Sequence, residues 1–483
     1  MKKFLSLVCI IAALSLLPSC TQKKTAGEYD SAADFRAEEG DIYDSVPNER
    51  YENYVFRILN AVTASEASSL DTETIAGNNL NEALYRRNSN VEERLGITIE
   101  EVRDTPELVF DTAVAACLSG ENTYSAVCNT ADNMATMAVC GYLVTDSYLD
   151  GIDLTKPWWN FSAIEGASVD GAYFFFFGDL QLSYYDAHSM VGVNMDMIAD
   201  IDGLSDPYGL VDRGQWTVDR MYRMMQSAEA DLDGNGERSW EDRYGTCVDD
   251  SMVLSLVMGC DTSISARDDY GLPYISAFDD EKFYDAFKLI SDSFYERCDF
   301  IYDTKKNEKD GMTAASQFKE GRSLFYITTV GQLSSLRDMD YEFGVLPMPK
   351  YSTDQKDYVS FLSAKNALAI GVMATGRNLL RTGNILENMA AESHREGGLV
   401  DCYVDTVLSF RYVNDEKSRE NLNTVLASGV FDPCEMYGWG GVSDKLIELA
   451  GDSDTFSSTM ASVRLMAISD ISDTVEEVNK HKK

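Results

Sequence analysis

Beyond residue 50 the chain switches between two hydrophobic periods. Tyr54-Val-Phe-Arg-Ile-Leu59 is a short apolar and β-branched run that predicts a strand. Leu80, Leu84, Val91 and Leu95 then fall on one helical stripe, and Gly96 ends it. Ile97-Thr-Ile-Glu-Glu-Val102 predicts a second strand. Thr105-Pro106-Glu107 supplies an N-cap, a proline at the first helical position and an acid in the first turn. Tyr124-Ser-Ala-Val-Cys128 predicts a third strand. Strand, helix, strand, helix, strand implies a parallel sheet with right-handed crossovers. A second α/β region starts near Met190. There Thr217 caps a helix running through Met225, and Phe283, Phe287, Ile290 and Phe294 share another helix face. Ser323-Leu-Phe-Tyr-Ile-Thr328 and Phe343-Gly-Val-Leu346 predict strands, and Phe174 to Phe177 a buried one.

The length, 483 residues, exceeds what one hydrophobic core usually supports, so two domains are expected. The charge is strongly acidic, −39 from 80 Asp and Glu against 41 Lys and Arg. A field of that sign repels phosphate backbones and speaks against nucleic-acid partners. At the N-terminus, Lys2 and Lys3 precede an apolar run from Phe4 to Leu17, too short to span a bilayer and suited to a signal peptide. Leu17-Pro18-Ser19-Cys20 resembles a bacterial lipobox, which predicts removal of residues 1–19, lipidation of Cys20 and a membrane-anchored chain outside the cell. An ordinary signal peptide with a chance cysteine is the alternative. Residues 20–50 are polar, acidic and without period, and read as a disordered tether. Of ten cysteines, eight lie beyond Cys9 and Cys20: Cys117, Cys128, Cys140, Cys247, Cys260, Cys298, Cys402 and Cys434. They are scattered through apolar stretches with no CxxC or Cys/His cluster, so buried free thiols are expected ahead of disulfides or zinc.

Several segments, taken in order, resemble the extracellular solute-binding proteins of the sugar-type class (family 1) of ABC transporters. They are Asn81 to Asn88 with Val91 to Ile97, Pro157-Trp158-Trp159-Asn160, Gly192 to Met195 and Asp206-Pro-Tyr-Gly-Leu-Val211. Gly214 to Asp219, Phe318-Lys-Glu-Gly-Arg322 and Tyr341 to Lys350 complete the set. The resemblance spans roughly residues 50 to 440. It implies a two-lobed periplasmic-binding-protein-like fold (type II), in which each lobe is a mainly parallel sheet flanked by helices and the ligand cleft lies at the hinge. The implied first lobe is 51–185 plus 365–428, and the second 186–364 plus 429–483. Crossings are placed near 180–190, 360–368 and 425–432. The implied function is capture of a small polar solute, a mono- or oligosaccharide, by hinge closure and delivery to ABC permease subunits. A monomer with no organic cofactor is expected. A peptide ligand on the same scaffold and a surface glycosidase are the alternatives.

Candidate ligand residues follow from what a sugar needs: aromatic faces and planar polar groups. Trp158, Trp159, Tyr185 and Asp186 offer these, with Asp179 near an expected crossing and Trp439 after the last one. Ser65 and Glu66 follow the first strand, and Thr329 and Gln332 a second-lobe strand, at the carboxyl edges where ligands sit in open α/β sheets. Trp216, beside a helix N-cap, is assigned to the core. Asp231-Leu-Asp233-Gly-Asn235-Gly236-Glu237, ending on Asp242 at loop position twelve, has the oxygen spacing of an EF-hand-like loop. It predicts a structural Ca2+ held by Asp231, Asp233, Asn235, Glu237 and Asp242; an acidic turn without metal is the alternative. Signals for catalysis are poor. The chain has three histidines, His188, His394 and His481, and no HExxH, GxSxG, GxGxxG or phosphate-cradling loop. The Ser316-Gln-Phe-Lys319 match to SxxK lacks its companion motifs.

Overall fold

The six strands expected from the sequence form within two residues of their apolar runs at either end. The computed structural model describes residues 42–63, 65–72, 79–295, 299–337, 339–413 and 415–482. The expected signal peptide, Cys20, Cys298 and residues 21–41 of the tether lie outside them. β1 (Tyr54–Ala61), β2 (Ile97–Asp104), β3 (Ala126–Thr130) and β4 (Phe175–Phe176) come from the first region. Between them run α1 (Asn79–Leu95), with Leu80, Leu84, Val91 and Leu95 all buried, and α2 (Pro106–Ser119). Thr105 caps α2 by accepting from the Leu108 N–H, and Gly120 ends it in the left-handed conformation. The third strand starts two residues later than its apolar run, at Ala126 opposite Ile58 of β1, with the Ser125 N–H on the Arg57 carbonyl at 2.9 Å just before it.

The later strands are β5 (Ser189–Asn194), β6 (Tyr244–Val248), a short hairpin of β7 (Ala266–Arg267) and β8 (Pro273–Tyr274), β9 (Ile301–Asp303), β10 (Ser323–Thr329) and β11 (Phe343–Leu346). β12 (Ser360–Phe361), β13 (Leu368–Val372) and β14 (Gly429–Val430) follow. They build two five-stranded sheets, ordered β2-β1-β3-β13-β4 and β11-β5-β10-β6-β9. Each is mainly parallel with a single reversed strand, β13 in the first and β5 in the second. Periodicity foresaw the parallel nucleus but not these reversals, which bring distant segments into the sheets. β13 enters the first sheet from nearly 200 residues beyond β4.

Three connecting segments lie side by side between the sheets. β12 and β14 pair in parallel, Leu362 donates its N–H to the Val430 carbonyl at 2.9 Å, and His188 bridges to Leu362. Ser189 and Ser360 add reciprocal hydroxyl bonds to Phe361 and Ser189 carbonyls at 2.7 and 2.9 Å. The helix Glu416–Ala427 falls within the 365–428 span expected for the first lobe, yet it is clamped to the second sheet. Ser418 Oγ accepts the Val345 N–H, and Asn421 donates to the Val345 carbonyl, both at 2.8 Å. The reason is physical: β11 is an edge strand, and its outward backbone groups need partners.

Residues 42–50 are not tether. Val46 is buried, Asn388 donates to the Pro47 carbonyl at 2.9 Å, and Arg50 reaches the Glu93 carbonyl at 2.8 Å. Trp216 sits in the core with its indole N–H on the Pro347 carbonyl at 2.9 Å. Seven described cysteines are unpaired; Cys128, Cys247, Cys260 and Cys434 are buried, whereas Cys117 and Cys402 are half-buried and Cys140 is exposed. No helix among the described residues is long and apolar enough to cross a membrane.

Candidate ligand site between the sheets

The carboxyl ends of β1 and β10 converge on one short turn, Ser183–Asp186. β1 leads into Ser65, whose hydroxyl caps the turn Glu66–Ser68 by accepting from the Ala67 N–H at 3.1 Å. Glu101 on β2 fixes this corner by accepting the Leu70 and Asp71 N–H groups at 3.0 and 2.8 Å. From the other sheet, β10 runs into Val330, which donates to the His188 carbonyl at 2.9 Å. Gly331 follows. A Cβ there would stand 3.0 Å from the Asp186 Cβ, so the absent side chain is what lets the two corners approach.

Asp186 is the centre of this junction. One carboxylate oxygen accepts the Ser65 hydroxyl and the other the Tyr403 phenol. Burial pushes its carboxyl up to about 6, against the lowering effect of these two bonds. Beside it, Asp179 accepts the Tyr185 hydroxyl at 2.6 Å on one oxygen and meets His394 Nδ1 at 2.5 Å on the other. The rings of Tyr185 and Tyr403 lie 6.5 Å apart, and Trp158 packs at 6.3 Å from His394. Ser65, Asp179, Tyr185, Asp186 and Trp158, expected from sequence, are thus brought together with two residues that were not, His394 and Tyr403. Both arrive from the chain beyond residue 390, and nothing in their local sequence marks them.

The other candidates separate. Thr329 and Gln332 flank Gly331, Thr329 half-buried in the β10 pairing and Gln332 with an exposed side chain. The Glu66 side chain lies outside the described residues. Trp159 turns away from the junction and donates its indole N–H to Glu387 at 2.8 Å. Burial holds the Glu387 carboxyl up at about 7. Trp439 has no exposed surface. It stacks on Tyr437 at 5.4 Å and donates to Thr474 Oγ1 at 3.0 Å, under the long helix Phe456–His481.

The acidic loop forms a separate constellation. Asp231, Asp233 and Asp242 each offer a carboxylate oxygen, all within 4.8 Å of one another. Asp231 is held by the Gly234 and Gly236 N–H groups at 2.7 and 2.9 Å, and both glycines are left-handed. Asp242 is buried and accepts the Leu232 and Ser239 N–H groups at 3.0 and 2.9 Å, which closes the loop. Asn235 Oδ1 accepts the exposed Glu237's N–H. Converging oxygens with no nitrogen or sulfur ligand suit a hard cation.

No family model and no curated protein matches this sequence. Solved structures match its fold. A cyclo/maltodextrin-binding protein complexed with maltotetraose gives a TM-score of 0.56 at 11% identity, over 88% of this chain and 98% of that one. The GacH receptor of Streptomyces glaucescens, studied unliganded and with acarbose, gives 0.52 at 12% identity, over 90% and 100%. An ABC substrate-binding protein from Listeria monocytogenes in complex with cycloalternan gives 0.52 at 13%, over 89% and 98%. With two mainly parallel sheets joined through three connecting segments, this chain has the two-lobed fold of the ABC-transporter substrate-binding proteins.

Proposed function

We propose that this chain is the solute-binding component of an ABC importer, taking up a mono- or oligosaccharide between its two sheets without chemically altering it. The observation that carries the reading is the junction at Asp186, where the carboxyl ends of β1 and β10 meet. Its groups suit a polyol: two carboxylates that accept hydroxyl hydrogens, a histidine, and aromatic faces from Trp158 and Tyr185. Structural neighbours crystallised with maltotetraose, acarbose and cycloalternan support the saccharide class.

The finer parts of the reading rest on sequence. Cleavage before Cys20 and lipidation of its thiol would hold the chain, as a monomer, on the outer face of a bacterial membrane beside its permease. The lobes are expected to divide as 51–185 plus 365–428 and 186–364 plus 429–483, but Glu416–Ala427 hydrogen-bonds to Val345 of the second sheet, and Pro433–Tyr437 packs on Ala131–Val139 beside the first. The loop from Asp231 to Asp242 takes a structural Ca2+ through Asp231, Asp233 and Asp242, joined by Asn235 and the Glu237 carbonyl.

Isothermal titration of the purified protein with maltotetraose, mannotriose and a tetrapeptide tests the function. Heat with a saccharide, unchanged sugar recovered afterwards, and loss of binding in Asp186→Ala support it. Heat with the peptide alone, or release of glycan fragments, would overturn it.

A further inference from the structure

The junction at Asp186 is filled by the chain itself. After the helix Leu379–His394 the backbone turns sharply through Gly397 and Gly398. Gly397 is left-handed, and at Gly398 a Cβ would stand 2.5 Å from the Arg395 carbonyl oxygen. The chain then runs through Leu399–Asp401 into Cys402–Tyr412, whose hydrogen bonds follow the wide i→i+5 pattern over 11 residues. That form is rare beyond a single turn and concentrates at functional sites. From it Tyr403, Val404, Val407 and Leu408 enter one apolar cluster that includes Leu84 of α1, on the first-sheet side, and Leu333, beyond β10 on the second. All four are buried.

We infer that residues 399–413 are a built-in plug of the ligand site, with the Tyr403 phenol standing on Asp186 where a ligand hydroxyl would bind. Three features carry this. The phenol meets the same carboxylate that Ser65 meets from the end of β1 and that Gly331, after β10, packs against from the other sheet. The Val404, Val407 and Leu408 side chains join elements from both sides, so their burial favours a closed junction with no solute present. The segment lies outside every strand, bounded by a tight glycine turn at one end and the Asp415 cap of Glu416–Ala427 at the other, so displacing it breaks the Arg419 bond to the Ser409 carbonyl at 2.8 Å but no strand pairing. A ligand must then displace Tyr403 and its neighbours, and its apparent affinity is lowered by the fraction of time the plug is in place. That the displacing ligand is a saccharide rests on the function proposed above; that the segment closes the site does not.

Hydrogen exchange separates the two ideas, using the purified protein with and without maltotetraose, beside Tyr403→Phe and Val404→Ser. The plug predicts faster exchange across 399–413 in both variants without ligand, by about tenfold. It also predicts faster exchange there when maltotetraose binds the unaltered protein, and about tenfold tighter maltotetraose binding by Tyr403→Phe. Slower exchange across 399–413 on maltotetraose binding, or weaker binding by Tyr403→Phe, would overturn the plug and make Tyr403 a direct ligand contact. Loosening of the segment in the variants, with no maltotetraose binding to any of the three proteins, would uphold the plug and remove this saccharide as its displacer.

Discussion

Trp159 donates its indole N–H to Glu387 at 2.8 Å, joining residues 228 positions apart across the first sheet's side of the molecule. The carboxyl that accepts it is almost without exposed surface, and burial raises it from an ordinary 4.5 to about 7. Below pH 4.5 folded and unfolded chains both carry the proton, so the group has no effect. Between 4.5 and 7 only the unfolded chain sheds it, and stability falls as pH rises. Above 7 the loss is constant. Glu387→Gln keeps an acceptor for Trp159 and has no charge to bury. Urea unfolding at pH 5 and pH 8 should show the variant losing less stability over that interval, by on the order of 2 kcal/mol. Equal losses in the two proteins would show that Glu387 does not ionise as its burial implies.

Gly429 and His188 are packed against each other where the three connecting segments meet. A Cβ on Gly429 would stand 2.5 Å from His188 Nε2, and the imidazole is fully buried between Tyr184 and Leu362. Gly429→Ala should therefore destabilise by about 1–3 kcal/mol, as overpacking does. His188→Ala opens the space, and Gly429→Ala added to it should cost much less than it does alone. A double-mutant cycle on urea midpoints reads the coupling directly. Additive effects would mean that the segments slide apart to relieve the clash.

Trp439, expected from the sequence to contact ligand, is packed as a core residue. Its ring has no exposed surface, and Gly440 beside it lies so near Ala467 that a Cβ would sit 2.7 Å from that methyl group. Trp439→Ala should cost about 3–5 kcal/mol of stability by thermal or urea unfolding. Saccharide affinity at a temperature where the variant is folded should not change. A selective loss of affinity would return Trp439 to the ligand site.

The contrast between Trp439 and Asp186 shows what a sequence reveals here. Strands were legible as short apolar runs buried on both faces, and helix stripes because period-3.6 burial is a local signal, as at Leu80, Leu84, Val91 and Leu95. Ser65 and Asp186 were legible because strand ends and crossings are local too. Tyr403 and His394 were not, since their partners Asp186 and Asp179 lie 217 and 215 residues away. Trp439 sits after a crossing as a ligand aromatic would, but the helix Phe456–His481 covers it, and no feature near residue 439 announces that helix.

The acidic loop gives the last prediction. Asp231 and Asp233 are exposed and Asp242 is buried, and their oxygens converge while the loop backbone is already folded around them. Three carboxylates this close repel one another, and a divalent cation would relieve that repulsion while binding only the folded loop. Calcium should therefore raise the unfolding midpoint of the purified protein, and a chelator should reverse it. Stabilisation reaches about 2.7 kcal/mol when the ion is at 100 times its Kd. Asp233→Asn leaves the Asp242 bonds to Leu232 and Ser239 in place, so the loop should still fold, but the calcium response should shrink or vanish. Magnesium, smaller and reluctant to shed water, should stabilise less at the same concentration. An unchanged midpoint with calcium in the unaltered protein would mark the loop as an acidic turn held by its own backbone.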